Sequence, residues 1–213
     1  MKRGKCCDAL TLRALTLHAP FTSQRQVKIG PKASNLNLNL ALNPGMQPLE
    51  PPDTHYLAAA IGWLGLGNQA EAKAELASIS PAGQNHPDVL EARWAVYSDE
   101  KNWDPALQTA RALINEAPER AAGWIFQAYA LRRTHNGGLQ QAWDALRPAY
   151  DRFPLQPIIP FNLACYSCQM HRLEEARSWL ARAAQIGPTE DIKQMALREP
   201  DLEPLWEEIR RWD

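Results

Sequence analysis

The segment "ACYSC" places Cys165 and Cys168 three residues apart. A C-x-x-C pair supports two kinds of chemistry. Thiol–disulfide exchange requires the pair to open a helix, where free N–H groups stabilise a thiolate. Structural zinc binding requires four ligands, usually two spaced pairs. The other cysteines, Cys6 and Cys7, are adjacent and far away in sequence, so no second spaced pair exists. His171 follows Cys165 by six residues, a spacing that turns it well away on a common helix. Five histidines (His18, His55, His86, His135 and His171) are scattered, and none stands at a spacing to serine, cysteine or carboxylate that specifies catalysis. Neither a G-x-x-x-x-G-K-[ST] loop nor a G-x-G-x-x-G turn occurs. The residue types therefore predict no catalytic centre, no metal and no cofactor. An enzyme with an α-helical shell remains the minor alternative, because fold alone does not exclude one.

The elements that carry the cysteines are read from composition first. Alanine and leucine abound in the 213 residues, which leans towards helix. No apolar run approaches the length of a membrane span. Residues 1–50 hold Lys2, Arg3, Lys5, Arg13, Arg25, Lys28 and Lys32 against Asp8 and Glu50, although the whole chain carries -1. The remainder is thus mildly acidic, which argues against a surface that tracks nucleic-acid phosphates. Residues 1–50 lack a sustained helical period and read as an unstructured, targeting-like or non-native leader, with Met46 as a second possible start. Cysteines in tight pairs do not form a secreted disulfide framework, so reduced thiols in a cytoplasmic protein are expected.

A period of 34 runs through the rest. Ala72, Ala106, Ala142 and Ala176 recur at that interval with one two-residue lengthening. Leu76, Ala110, Leu146 and Leu180 follow the same intervals, as do Ile79, Leu113, Ala149 and Ala183. Trp63, Tyr97, Leu131 and Ser167 line up upstream and place the extra residues between Leu131 and Ala142, where "THNGG" supplies turn glycines. Each unit reads as two helices. Asp104-Pro105 is expected to open the second helix of unit two, as N-cap and first helical residue. The helix from Leu173 should stop at Gly187-Pro188. A helix pair of this length cannot cover its own apolar stripe, so neighbouring units must stack.

These units resemble tetratricopeptide repeats, whose pattern includes W-x2-L-G-x2-Y, then A-x3-F and a closing proline. In unit four Leu163-Ala164 stand at the L-G pair, Ala176 and Leu180 at A-x3-F, and Pro188 at the end. Unit three supplies Trp124, Ala128, Ala142, Leu146 and Pro154; unit one supplies Tyr56, Ala60, Trp63, Ala72 and Leu76. The resemblance implies an all-α, right-handed α-solenoid of about four such units, near 53–86, 87–120, 121–156 and 157–188, followed by capping helices over 189–213. Within that cap, Leu202, Leu205, Trp206 and Ile209 have helical spacing, with Asp201 as the expected N-cap. Three departures stand out. Pro81 closes unit one early. Trp94 occupies a position where the family uses glycine or alanine, which predicts splaying of units one and two. Pro148 inside the second helix of unit three predicts a kink costing about 3 kcal/mol. Trp63, Trp124 and Trp179 are expected to pack in the core, and Trp103 and Trp143 between units.

The same resemblance implies that first helices line a concave groove at repeat positions 2, 5, 9, 12 and 13. Unit one then presents Thr54, Leu57, Ile61, Leu64 and Gly65, and unit two Asp88, Glu91, Ala95, Ser98 and Asp99. Unit three presents Ala122, Ile125, Tyr129, Arg132 and Arg133, and unit four Ile158, Phe161, Cys165, Cys168 and Gln169. Glu91, Tyr129, Arg132, Arg133, Phe161 and Gln169 are the candidate partner-binding residues. The two arginines would hold an acidic group, Tyr129 and Phe161 would anchor apolar side chains, and the small cysteines would leave room. One branch of the family clamps chaperone tails through positions 5 and 9, then 6, then 2 and 6. Starting from unit two those positions hold Glu91, Ala95, Phe126, Ile158 and Asn162, and only Asn162 fits. The implied function is a non-catalytic scaffold or adaptor binding a peptide or helix of another protein, with no nucleic-acid or membrane partner. The alternative is a homo-oligomer joined through Leu57, Ile61 and Leu64 at the N-terminal end.

Overall fold

Each repeat is organised around one fully buried alanine. Ala72, Ala106, Ala142 and Ala176 are all 0 % exposed in the computed structural model, which describes residues 48–212. The four donate their N–H groups to the carbonyls of Asn68, Asn102, Gly138 and Arg172, the residues that start each second helix. Four chain segments thus share one local geometry. The helices are α1 (Asp53–Gly65) and α2 (Gln69–Ser78), α3 (Pro87–Asp99) and α4 (Trp103–Glu116), α5 (Ala121–Leu131) and α6 (Leu139–Arg152), and α7 (Ile158–Gln169) and α8 (Leu173–Ile186). They are followed by α9 (Thr189–Arg198), a 3-10 segment (Pro200–Leu205) and the short α10 (Trp206–Ile209). No strand occurs among the described residues. From α1 to α8 each helix packs on the next, α1 also packs on α3 and α3 on α5, and α9 packs on α8. This is a stack of antiparallel hairpins, an α-solenoid.

The turns inside the hairpins repeat as closely as the alanines. Gly67, Lys101 and His171 take positive φ angles of 75°, 56° and 61°. The next amide in each case reaches back to the first helix: Asn68 to Trp63, Asn102 to Tyr97 and Arg172 to Ser167, at 2.9, 2.8 and 2.9 Å. A left-handed residue followed by this back-bond satisfies carbonyls that the helix end leaves open. Gly67 adopts that conformation without a Cβ penalty, whereas Lys101 and His171 carry about 1 kcal/mol of it. In the third hairpin the amide of Gly138 makes the bond instead, to Leu131 at 3.0 Å. Two residues have been added and the closing contact kept. Gly137 is needed here, since a Cβ would lie 1.8 Å from the Leu131 carbonyl oxygen.

Burial follows the period. Leu76, Ala110, Leu146 and Leu180 are 3 % exposed or less, and so are Ile79, Leu113, Ala149 and Ala183. Each large side chain withdrawn from water contributes about 1.5–3 kcal/mol. Trp103 packs against Tyr129 of the next unit, and Trp143 donates to Ser167 Oγ at 3.2 Å, so both bridge units as expected. Trp179 is buried, while Trp63 and Trp124 are half-buried.

Several local expectations are corrected. Helix α4 starts at Trp103 with Asn102 as its N-cap, so Asp104 and Pro105 lie inside the first turn rather than at its boundary. Helix α6 continues through Pro148, which sits on the exposed face where the carbonyl it leaves unbonded can meet water. The Trp94 side chain is directed at unit three. Its ring is fully buried and stacks on Phe126 of unit three, 3.9 Å between centroids and 5° between planes. The cap is a 3-10 segment before a single α-turn, and Glu199 rather than Asp201 caps it, accepting from the Asp201 amide. The expected apolar face nevertheless forms, with Leu202, Leu205 and Ile209 at 0, 1 and 1 % exposure. Of the leader read over residues 1–50, residues 1–47 lie outside the described residues, and Leu49 packs against the apolar cluster of units one and two.

Replacing Leu146 by alanine is expected to cost about 2–5 kcal/mol. Leu66→Ala, at a side chain 77 % exposed, should stay within about 0.5 kcal/mol. Gly67→Ala should cost about 1–2 kcal/mol through its backbone angle alone, because nothing lies within 4 Å of the added methyl. Urea unfolding of the three variants measures all of these.

Candidate functional site

The inner positions of unit four are covered by the chain itself. The 3-10 segment packs on α7. Leu202, Leu205 and Ile209 join the same apolar cluster as Phe161, Cys165 and Cys168. Phe161 is 1 % exposed and the two cysteines 2 % each, so Phe161 offers no surface to a partner and the expected room beside the cysteines is filled. Gln169 stays exposed at the edge and donates Nε2 to the Asp201 carbonyl oxygen at 3.3 Å.

Arg132 is engaged by the same segment. Its Nη1 lies 2.7 Å from Asp201 Oδ2, with side chains only 8 % and 7 % exposed. Its guanidinium also sits 5.3 Å from the centre of the Tyr166 ring. Arg132 does hold a carboxylate, but the carboxylate belongs to this chain, 69 residues further on. A buried ion pair is neutral or weakly favourable in net terms, whereas removing one partner strands the other charge at a cost of about 3–5 kcal/mol. Burial pushes the Cys168 thiol up to about 11, with the Asp201 carboxylate adding to the effect and Arg177 opposing it. Cys165 and Cys168 form no disulfide and lie buried in the C-terminal half of α7, away from the helix N-terminus that exchange chemistry uses to stabilise a thiolate. Among the described residues no group of three or more His, Cys, Asp and Glu side chains could hold a metal ion. Asn162, the single match to a chaperone-tail clamp, is buried and donates to the Ile158 carbonyl of its own helix at 3.0 Å.

Units two and three are arranged differently. Tyr129 is 4 % exposed and forms the centre of an aromatic group. Trp94 meets its edge at 5.8 Å and Trp103 lies 5.9 Å away, both between ring centroids. The Arg133 guanidinium lies 3.6 Å from the Tyr129 ring centre and 5.1 Å from that of Trp103. Tyr129 is therefore a platform beneath Arg133 rather than an exposed anchor. Glu91 is also engaged internally. Arg120 Nη1 bridges it at 3.0 Å and Asp88 Oδ1 at 2.5 Å. Burial raises the Glu91 carboxyl, and Arg120 pulls it back down. Burial lowers the neighbouring His86, with Asp88 opposing.

Apart from Gln169, the inner positions still facing solvent belong to units one to three. Ile61, Leu64, Ala95, Ala122 and Arg133 are half-buried, and Gly65 and Asp99 are exposed. Sequence reasoning missed Asp201 and Arg120 as ligands of the candidate residues. Asp201 stands in a helix-capping pattern and Arg120 just outside a helix, so neither carries a signal pointing at its partner. At the far end, Arg177 binds Glu208 through Nε and Nη2, both at 2.6 Å. A shallow groove of about 450 Å³ lies there between α8 and the C-terminal residues Leu205, Ile209 and Trp212.

Asp201→Ala should destabilise the protein by about 3–5 kcal/mol. In the double variant with Arg132→Ala the loss should be less than the sum of the single losses, as a denaturant-based double-mutant cycle would register. With Cys6 and Cys7 replaced by serine, the native protein should resist a thiol-reactive disulfide reagent at neutral pH and react only after unfolding.

No protein-family model matches the sequence, and no curated protein matches it either. Solved structures do. A thermophilic tetratricopeptide-repeat protein, TTC0263 of Thermus thermophilus, is similar with a TM-score of 0.55 at 14 % identity, covering 74 % of this chain and 95 % of that one. MamA (AMB-1) is similar with a TM-score of 0.53 at 16 % identity, covering 76 % of this chain and 91 % of that one. At such identities the common property is architecture. With the repeated turns, the four buried alanines and these likenesses together, the chain is a right-handed α-solenoid of the tetratricopeptide-repeat fold.

Proposed function

We propose that this chain is a non-catalytic scaffold or adaptor whose inner face holds a peptide or helical segment of another protein. One observation carries the reading: the chain's own segment 200–205 lies on α7 with a carboxylate on Arg132 and a backbone carbonyl on Gln169. The side chains and spacing of this face therefore suit a polypeptide with an acidic group. Because that segment takes up unit four and Arg132, the surface left for a partner runs over units one to three. Ile61, Leu64, Ala95 and Ala122 supply its apolar part, Arg133 its cation and Asp99 its anion, with Glu91 bound to Arg120 at one side. Charge of both signs along such a surface sets specificity more than affinity. Buried cysteines not joined in a disulfide fit a cytoplasmic setting. No helix among the described residues is long and apolar enough to cross a membrane.

A second reading is favoured by the N-terminal end of the stack. There Leu66 is 77 % exposed and Trp63, Ile61 and Leu64 are only half-buried, an apolar surface through which two copies could associate.

Affinity capture with mass spectrometry, followed by direct titration of the purified partner, tests the main reading. Ala95→Arg, which fills the inner face, is expected to weaken binding at least about tenfold, whereas Asn115→Arg on the exposed side of α4 leaves it unchanged. Equal effects of the two substitutions would remove the inner face as the binding surface. Light scattering that finds only a stable dimer, lost in Leu66→Glu, would favour self-association instead.

A further inference from the structure

Three buried side-chain polar atoms among the described residues have no hydrogen-bond partner: Trp94 Nε1, Ser98 Oγ and Arg133 Nη2. They are not scattered. Trp94 and Arg133 both touch the Tyr129 ring, and Ser98 follows Trp94 by one helical turn on α3. All three are able to donate a hydrogen bond, and one belongs to a cation. Arg133 uses Nη1 on the Tyr129 carbonyl at 3.0 Å and places its guanidinium over the Tyr129 and Trp103 rings. No carboxylate among the described residues forms an ion pair with it. Other acids are committed elsewhere: Asp201 to Arg132, and Asp88 and Glu91 to Arg120. Buried donors are almost always satisfied, and two exceptions on one ring with a third one helical turn away point to an acceptor from outside the chain.

We infer that Arg133, with Ser98 and Trp94 behind it, forms a niche between α3 and α5 that takes the carboxylate of an acidic residue on a bound partner. This rests on the scaffold reading and names the chemistry its inner face selects. Trp94 and Ser98, 0 % and 4 % exposed, form the floor, while Trp103 and Arg133 above them are half-buried. The neighbouring residue supplies an internal precedent, because Arg132 already binds a carboxylate, that of Asp201. Two consecutive arginines thus divide the work: one fastens the chain's own C-terminal segment and the next is left for an acid from outside. Repeat positions 8, 12 and 13 build this niche, and none belongs to the chaperone-tail clamp. A guanidinium held on an aromatic face keeps its fork pre-organised, which favours planar carboxylate over a point anion.

The test uses the full chain labelled with ¹⁵N and two probes that differ only in charge, N-acetyl-glutamate amide and N-acetyl-glutamine amide. The acid should shift the Trp94 indole N–H resonance saturably, and the neutral probe should not. Arg133→Gln should weaken the association at least about tenfold, with Arg133→Lys intermediate. Ser98→Ala removes a single hydroxyl and should weaken it by a smaller factor, which keeps the test decisive if the arginine variants do not fold. Equal response to both probes, no saturable response because water alone fills the niche, or undiminished binding in Arg133→Gln and Ser98→Ala would each overturn it. A partner that binds through Ala95 yet is insensitive to Arg133→Gln overturns the niche and leaves the scaffold reading standing. Loss of inner-face binding altogether removes both.

Discussion

The closure of each hairpin on a buried alanine is the constraint from which the remaining structure follows. Where Ala72, Ala106, Ala142 and Ala176 sit, the second helix meets the first through a fully buried methyl group. The left-handed turn and its back-bond just upstream fix the direction of entry. Every hairpin thereby turns its apolar stripe towards the next one. Stacking is the only way to cover those stripes, and the solenoid is the result. The third hairpin shows how strictly this holds. Two additional residues are absorbed in the turn, and Gly138 restores the bond to Leu131.

Ends are the weak points of such a stack, since the last stripe has no neighbour. Here the C-terminal residues answer that need and something more. Leu202, Leu205 and Ile209 enter the core of unit four, and the Asp201 carboxylate crosses to Arg132 in unit three. Unit four is thereby locked to unit three by a contact that no unit makes alone. The cost is surface: most inner positions of unit four, expected to face a partner, are closed. What stays open lies towards the N-terminal end, where aromatic rings, one stacked arginine and small residues share the face.

Much of the architecture is legible in the sequence because its causes are local and repeated. Registers through Ala72, Leu76 and Ile79 and their counterparts locate the buried faces, and the register through Leu131 locates the lengthened turn. The candidate site is less legible. Position within a repeat identifies Tyr129, Arg133 and Phe161 as facing inwards, but not what they meet there. The repeat pattern makes Trp94 an obstacle between units one and two, whereas it stacks on Phe126 in unit three. A ring's direction depends on which neighbour has space for it, and spacing along one helix does not encode that.

By itself the sequence determined the hairpins, their number and their order, because each depends on hydrogen bonds and contacts made within about 34 residues. Tertiary structure alone decided the fate of the charged and apolar groups on the inner face. Whether Arg132 is vacant or occupied depends on Asp201, 69 residues away, and on three apolar side chains that bring that carboxylate into place. Interactions of that range are set by how finished elements pack, and a repeat pattern, being the same in every unit, contains nothing that distinguishes the one unit that will be covered.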